Sequence, residues 1–262
     1  YLPNIESRVE LKKVARYLYR INKHSLAIPC SVKETEDIVH ANMRMGIGVT
    51  GYLQATDEQR SWLSDVYVYL RAYDKQYSND NGFPTSIKIT TVKPSGTLSL
   101  LAGVTPGAHP GYSRYYIRRI RMAADSELAS VARNNGYFVE YVRNFDGTED
   151  HSTVVVEFPC QFPDGTMFAE DMTAIDQLNV IRKLQAEWSD NSVSVTIYYR
   201  KDELDAIRQW LSENYVNTKS VSFLLHSEHG FDQAPLEEIT EARYLEMKEK
   251  VTEITSLDSL KM

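Results

Sequence analysis

Ile87-Lys88-Ile89-Thr90-Thr91-Val92-Lys93-Pro94-Ser95-Gly96-Thr97-Leu98-Ser99 carries a strand, a turn and a helix start in one short stretch. The β-branched run Ile87–Val92 has strand character. Pro94-Ser95-Gly96 ends it, and a short helix is expected from Thr97. The first backbone N–H groups of such a helix have no partner within the helix, and the Ser95, Thr97 and Ser99 hydroxyls stand beside them, so the turn can hold an anion. Gly96 leaves room where an oxygen must approach the backbone. On local pattern alone, a capped helix start after a strand is the simpler reading.

Working outward, strand and helix patterns alternate after Pro84. Tyr115–Met122 alternates as a strand, and Val154–Phe158 is apolar enough for a strand buried on both faces. Val193–Tyr199 and Val221–Leu225 complete the strands. Ser126–Asn134, Ala174–Trp188, Asp202–Asn214 and Leu236–Val251 read as helices. This alternation predicts an α/β fold of about five mostly parallel strands with covering helices. Before Pro84 the chain reads as helical. Val9, Leu11, Val14, Leu18 and Ile21 recur at helical spacing over Glu6–Asn22, and Pro29 stops that region. A second helix is expected from Val32 to about Met43, with Ser31 as its N-cap and Glu34 completing a capping box. The Gly-rich turn Met45–Tyr52 and a long helix Asp57–Tyr77 follow. The expected organisation is a helical segment over 1–84, an α/β region over 85–251 and a frayed tail over 252–262.

Composition excludes several classes. The 262 residues are 42% hydrophobic and 25% charged, as in an ordinary globular chain. No apolar run reaches the roughly 18–20 residues of a membrane span. Two cysteines, Cys30 and Cys160, exclude a disulfide scaffold and a cysteine-built metal site. The net charge of −7 argues against non-specific nucleic-acid binding but leaves room for a local basic pocket. The chain opens on Tyr1 rather than Met, so a piece of a longer polypeptide is expected.

Other candidates are weaker alone. Gly103-Val104-Thr105-Pro106-Gly107-Ala108-His109-Pro110-Gly111-Tyr112 holds three Gly and two Pro in ten residues. It reads as a long loop beyond a strand end, either a ligand loop or a plain connection. His109 has no second ligand at metal spacing. Arg114–Arg121 holds four arginines and two tyrosines in eight residues, on a strand that puts Arg119 and Arg121 on one face. Structural ion pairs are the favoured reading there over a nucleotide-facing surface. Tyr198 and Tyr199 read as packing residues with polar tips. Neither cysteine has a visible base beside it. His24, His40, His151, His226 and His229 form no catalytic or metal pattern, so neither catalytic nor metal-ligating residues are assigned.

Taken in order, Asn42–Gly51, Thr91–Leu101, Gly103–Pro110, Tyr115–Arg121, Asn191–Tyr199 and Leu225–Phe231 resemble the C-terminal half of ribonucleotide reductase. Within that superfamily the adenosylcobalamin-dependent (class II) ribonucleoside-triphosphate reductases are the most similar. The resemblance implies the second half of a ten-stranded α/β barrel. It implies substrate phosphates bound by Ser95, Gly96, Thr97, Leu98 and Ser99, and adenosylcobalamin as cofactor. The loop residues His109, Pro110 and Tyr112 are the candidates for touching that cofactor. The implied reaction replaces the ribose 2′-hydroxyl by hydrogen through a cysteine thiyl radical, supplying deoxyribonucleotides for DNA replication.

The family's thiyl cysteine and catalytic carboxylate fall before Tyr1 and its relay cysteines beyond Met262. This chain alone is therefore expected to be inactive. The implied partners are a ribonucleoside triphosphate, the N-terminal half of the reductase and a thioredoxin-type dithiol reductant, in the cytoplasm, with no nucleic acid or membrane. The alternative is a non-catalytic remnant that binds a nucleotide or a partner.

Overall fold

The computed structural model describes residues 1–226 and 233–256. In chain order these form α1 (Arg8–Ser25), α2 (Lys33–Asn42), β1 (Ile47–Gly48), α3 (Asp57–Asn81), β2 (Thr90–Thr91) and α4 (Leu98–Leu101). Then come β3 (Tyr115–Ala123), α5 (Glu127–Asn134), β4 (Phe138–Arg143), β5 (Glu149–Gln161) and α6 (Ala174–Glu187). The series closes with β6 (Thr196–Tyr199), α7 (Leu204–Asn214), β7 (Ser222–Leu225), β8 (Leu236–Glu238) and α8 (Glu241–Lys250). No helix among the described residues is long and apolar enough to cross a membrane. The described residues divide into two compact units, one of residues 1–111 and 165–226, the other of residues 112–164 and 233–256. The composition boundary at 84/85 is a different cut, since the first unit takes in both the helical segment and the turn Pro94–Ser99.

The first unit holds the parallel strands. β1 pairs with β2 in parallel, Ile47 opposite Thr90, and β6 pairs with β7 in parallel, Thr196 opposite Ser222. A parallel bridge between Val92 and Val193 joins the two pairs, and another links Gly111 to Phe168. Side chains stitch these short ladders together. The Asn191 amide donates to the Met45 and Thr90 carbonyls at 3.0 and 2.8 Å. The Trp188 indole donates to the Thr91 carbonyl at 3.1 Å. Ile89, Val92, Leu178, Ile181 and Ile197 are fully buried around them. Removing this apolar surface from water is the main stabilising contribution, on the order of 25 cal/mol per Å².

α1 and α3 cover this unit. Contacts advance together from Arg8–Asp65 through Tyr19–Asp74 to His24–Tyr77, so the two helices run in the same direction. The helix predicted from residue 6 is present, starting behind an Ser7 cap that accepts from the Glu10 N–H. Its inward face is not the expected one. Leu11, Ala15, Tyr19 and Lys23 are buried at strict four-residue spacing, while Val9, Leu18 and Ile21 are 76%, 42% and 64% exposed. The cause lies on α3, where Asp74 and Ser78 continue the buried stripe Leu63–Val66–Leu70 and give Lys23 a partner. The expected cap of α2 also differs. Val32 occupies that position without a side-chain bond, and Glu36, not Glu34, reaches back to the Cys30 N–H at 2.9 Å.

The second unit is an antiparallel sheet in the order β4-β5-β3-β8. This corrects the expectation that Tyr115–Met122 and Val154–Phe158 join one parallel sheet. β3 and β5 pair with each other in antiparallel register, Ile120 opposite Val156. β5 carries Val154, Val155 and Val156 fully buried between neighbours on both sides, so a central antiparallel strand gives the same apolar run as a parallel one. The expected helix from Leu236 begins later, since Leu236–Glu238 pair with β3 and the helix runs Glu241–Lys250 behind a Thr240 cap. Gly136 is required: at φ +83 a Cβ would lie 2.1 Å from the Lys250 carbonyl oxygen. The arginine-rich strand forms ion pairs as favoured. Arg119 bridges Glu157 at 2.7 Å and Glu237 at 2.5 Å, fastening β8 to the sheet, and Arg114 pairs with Asp164. Thr252 donates to the Asn135 carbonyl at 2.8 Å. The remainder of the expected tail, 257–262, and residues 227–231 of the last resemblance motif, with His229, lie outside the described residues.

Candidate functional site

β2 and the bridge at Val92 deliver the chain to the predicted turn at the C-terminal ends of parallel strands, where α/β folds place ligands. The turn itself is tied from within. Ser99 is fully buried, and both its N–H (2.9 Å) and its hydroxyl (2.5 Å) donate to the Ser95 carbonyl. Its hydroxyl is therefore spent on the turn and not presented outward. Gly96, Thr97 and Leu98 are exposed, Ser95 is half-buried, and a Cβ on Gly96 would meet nothing within 4 Å. No hydrogen bond engages the backbone N–H of Gly96, Thr97 or Leu98 among the described residues. Three adjacent unbonded N–H donors on exposed residues, close in sequence to exposed Lys93, can hold a phosphate or carboxylate oxygen.

The residue that fixes this turn against its surroundings is Thr50, to which sequence reasoning gives no role. Its hydroxyl lies 2.5 Å from the Ser95 hydroxyl, donates to the Thr105 carbonyl at 3.0 Å and accepts from the Gly107 N–H at 2.7 Å. One side chain thus joins the Gly-rich segment after β1, the turn and the long loop. Gly107 completes the fit. With φ +60 and a Cβ position 2.5 Å from the Lys93 carbonyl oxygen, no other residue type lets the loop lie this close. The signal for Thr50 was its place in the Gly-rich run Met45–Tyr52. A lone threonine has no pattern that announces such a hub.

The predicted loop residues fall into different settings. His109 is largely buried, with Nε2 accepting from the Thr196 N–H at 3.0 Å and Nδ1 facing the Pro106 carbonyl at 3.1 Å. Those partners define a neutral ring carrying its proton on Nδ1. Burial pulls its pKa below the ordinary histidine value, against the smaller opposing pull of the Pro106 carbonyl. Pro110 is buried. Tyr112 belongs to the second compact unit, is 46% exposed, and has its pKa raised by partial burial and by Glu238. Ser95, Gly96, Thr97 and Leu98 are thus brought together on one accessible turn. Ser99, His109 and Pro110 are built into the scaffold instead. Cys30 is exposed and Cys160 half-buried, with no disulfide, and no metal-type cluster occurs among the described residues. Burial raises the Cys160 thiol, which works against reactivity.

No family model matches the chain. It is 38% identical over 239 residues to the adenosylcobalamin-dependent ribonucleoside-triphosphate reductase of Euglena gracilis, matching 88% of this chain and 32% of that protein. The enzyme of the same description from Lactobacillus leichmannii is 36% identical over 280 residues, with 93% of this chain and 37% of the relative covered. Among solved structures, a B-12 dependent (class II) ribonucleotide reductase superposes with a TM-score of 0.82 at 27% identity, over 93% of this chain and 38% of that one. The chain spans about a third of the length of the curated relatives it matches. Sequence and backbone together make this chain a relative of one segment of the adenosylcobalamin-dependent ribonucleoside-triphosphate reductases.

Proposed function

We propose that this chain is the substrate-phosphate-binding part of a class II ribonucleotide reductase, and that the turn Ser95–Leu98 grips the polyphosphate of a ribonucleoside triphosphate. The observation that carries this reading is the open turn. Gly96, Thr97 and Leu98 face solvent with no hydrogen bond to their N–H groups, at the end of a parallel strand. A hydrogen bond to a charged group is worth about 1.5–3 kcal/mol, so a few such donors suffice to fix the phosphate end and orient the ribose. Ser99 and Thr50 do not touch substrate in this scheme. They hold the Ser95 carbonyl and hydroxyl in place.

The four parallel strand segments of the first unit, with the Gly111–Phe168 bridge beyond them, support the further reading that this unit is half of a ten-stranded barrel. The relatives named above depend on adenosylcobalamin, and that cofactor is part of the proposal. His109 does not fit as a ligand to cobalt, because both ring nitrogens are engaged within the fold. Of the three loop residues only Tyr112 offers an exposed surface, so this chain's own contribution is taken to be binding and orienting substrate. The remaining two thirds of the enzyme, a thioredoxin-type dithiol reductant and a cytoplasmic setting complete the proposal.

The test is Gly96→Asp. The added carboxylate enters open space, so the fold should be unaffected, while its charge faces the phosphates. The expected result is unchanged thermal unfolding and at least tenfold weaker binding of a ribonucleoside triphosphate. Equal binding by the two proteins would remove the turn from the site.

A further inference from the structure

The first unit has a second cationic feature at the opposite ends of the same strands. Lys88 lies just before β2, Asp190 just before the Val193 bridge that leads into β6, and Lys219 just before β7. With the C-terminal half of α6 they line a cleft of about 870 Å³, within the usual ~300–1,000 Å³ of small-molecule sites. Ile89–Val92 separate it from the phosphate turn, a distance of about 13 Å along an extended chain.

The charges in this cleft are unbalanced. Lys88, Arg182, Lys183 and Lys219 line it against only Asp190 and Glu187, in a chain whose net charge is −7. None of the four lysine and arginine side chains forms an ion pair with a carboxylate among the described residues. Asp190 is already committed. Its carboxylate accepts from the Tyr67 hydroxyl at 2.7 Å and the Ile89 N–H at 2.9 Å, and faces Arg71 at 3.8 Å.

Lys219 is held in position rather than free to retreat, its Nζ donating to the Asp190 carbonyl at 2.5 Å. Partial burial lowers its pKa, with the Lys88 charge adding to that and Asp190 opposing it. Arg182 has only a long 3.5 Å bond to the Asn214 side chain, which leaves most of its donor fork available. The Asn179 oxygen accepts from the Trp210 indole at 3.0 Å, so its amide NH₂ is the end left to donate. A polyanion placed among these groups meets cationic and amide donors from α6 and from the segments before β2 and β7.

We propose that this cleft is a second anion site, separate from the Ser95–Leu98 turn, that takes the polyphosphate of a small phosphorylated ligand.

The test is calorimetric titration of tripolyphosphate into the full chain carrying Gly96→Asp, so that the turn is blocked. Saturable binding is expected in that background, weakened at least tenfold by Lys88→Gln or by Lys219→Gln. Backbone amide shifts on titration should centre on Asn217, Lys219 and Asp190. Absence of saturable binding overturns the proposal, as does binding that survives both lysine substitutions together. Binding by the unsubstituted chain that Gly96→Asp alone abolishes would leave the turn as the sole anion site and refute the cleft. A turn that proves unimportant leaves the cleft result readable, because the two sites are changed independently.

Discussion

Replacing Lys23 with Met removes one charge from a fully enclosed polar network, and the cost follows from what remains. The Lys23 ammonium spends its three protons on Asp74 Oδ1 at 3.0 Å, the Pro84 carbonyl at 2.6 Å and the Ser86 hydroxyl at 2.9 Å. Asp74 also accepts from the Tyr19 and Ser78 hydroxyls and from the Ser86 N–H. Both charged side chains are 0% exposed. Burial pulls the Lys23 pKa down while Asp74 pulls it back, so each charge depends on the other.

Breaking a buried pair from one side costs about 3–5 kcal/mol, or roughly 6–20 °C in Tm for a domain of this size. Trp62, Trp188 and Trp210 all lie in the first compact unit, so tryptophan fluorescence during urea unfolding reports that unit alone. Lys23→Met and Asp74→Asn should each move the transition by that amount. The double variant should lose clearly less than the sum, because the two groups share one network. A Lys23→Met loss below about 1 kcal/mol, or strict additivity, would refute the network as the reason α1 presents this face.

Three further predictions concern the scaffold. His109 titrates below its ordinary value of 6.5, so on acidification the unfolded chain takes up the proton first. Stability from this residue is therefore complete above pH 6.5 and declines as pH falls toward the lower folded-state value, and His109→Gln should flatten that part of a stability–pH profile. Gly107→Ala forces a Cβ against the Lys93 carbonyl at positive φ. It should cost at least ~1–3 kcal/mol and weaken triphosphate binding, checked by melting and titration of one sample. Arg119→Met strands the nearly buried Glu157 and releases Glu237, and should cost about 3 kcal/mol in the second unit with faster hydrogen exchange along β8.

Helix positions were legible where apolar residues recur periodically, as in Arg8–Ser25 and Ala174–Glu187, whereas the cap expected at Ser31 did not form. The inward face of α1 was not, since apolar spacing alone cannot show that Lys23 is buried against a residue on α3. The strand, turn and short helix over Thr90–Leu101 were legible from local chemistry, but not that Ser99 turns inward to bond Ser95. The direction of β3 and β5 was hidden for a physical reason. A strand covered on both sides has the same apolar composition whichever way its neighbours run. The two-residue strands β1 and β2 owe their order to Asn191, Trp188 and Asp190, which come from about a hundred residues further along the chain.

The most direct measurement is an amide NMR titration of the chain with a ribonucleoside triphosphate. The account predicts saturable shifts centred on Gly96, Thr97 and Leu98, with Thr50 and Gly107 moving in step because one hydroxyl joins them to Ser95. Saturable shifts that leave these residues unmoved, or none at all, would contradict the claim that this turn grips the substrate's phosphates.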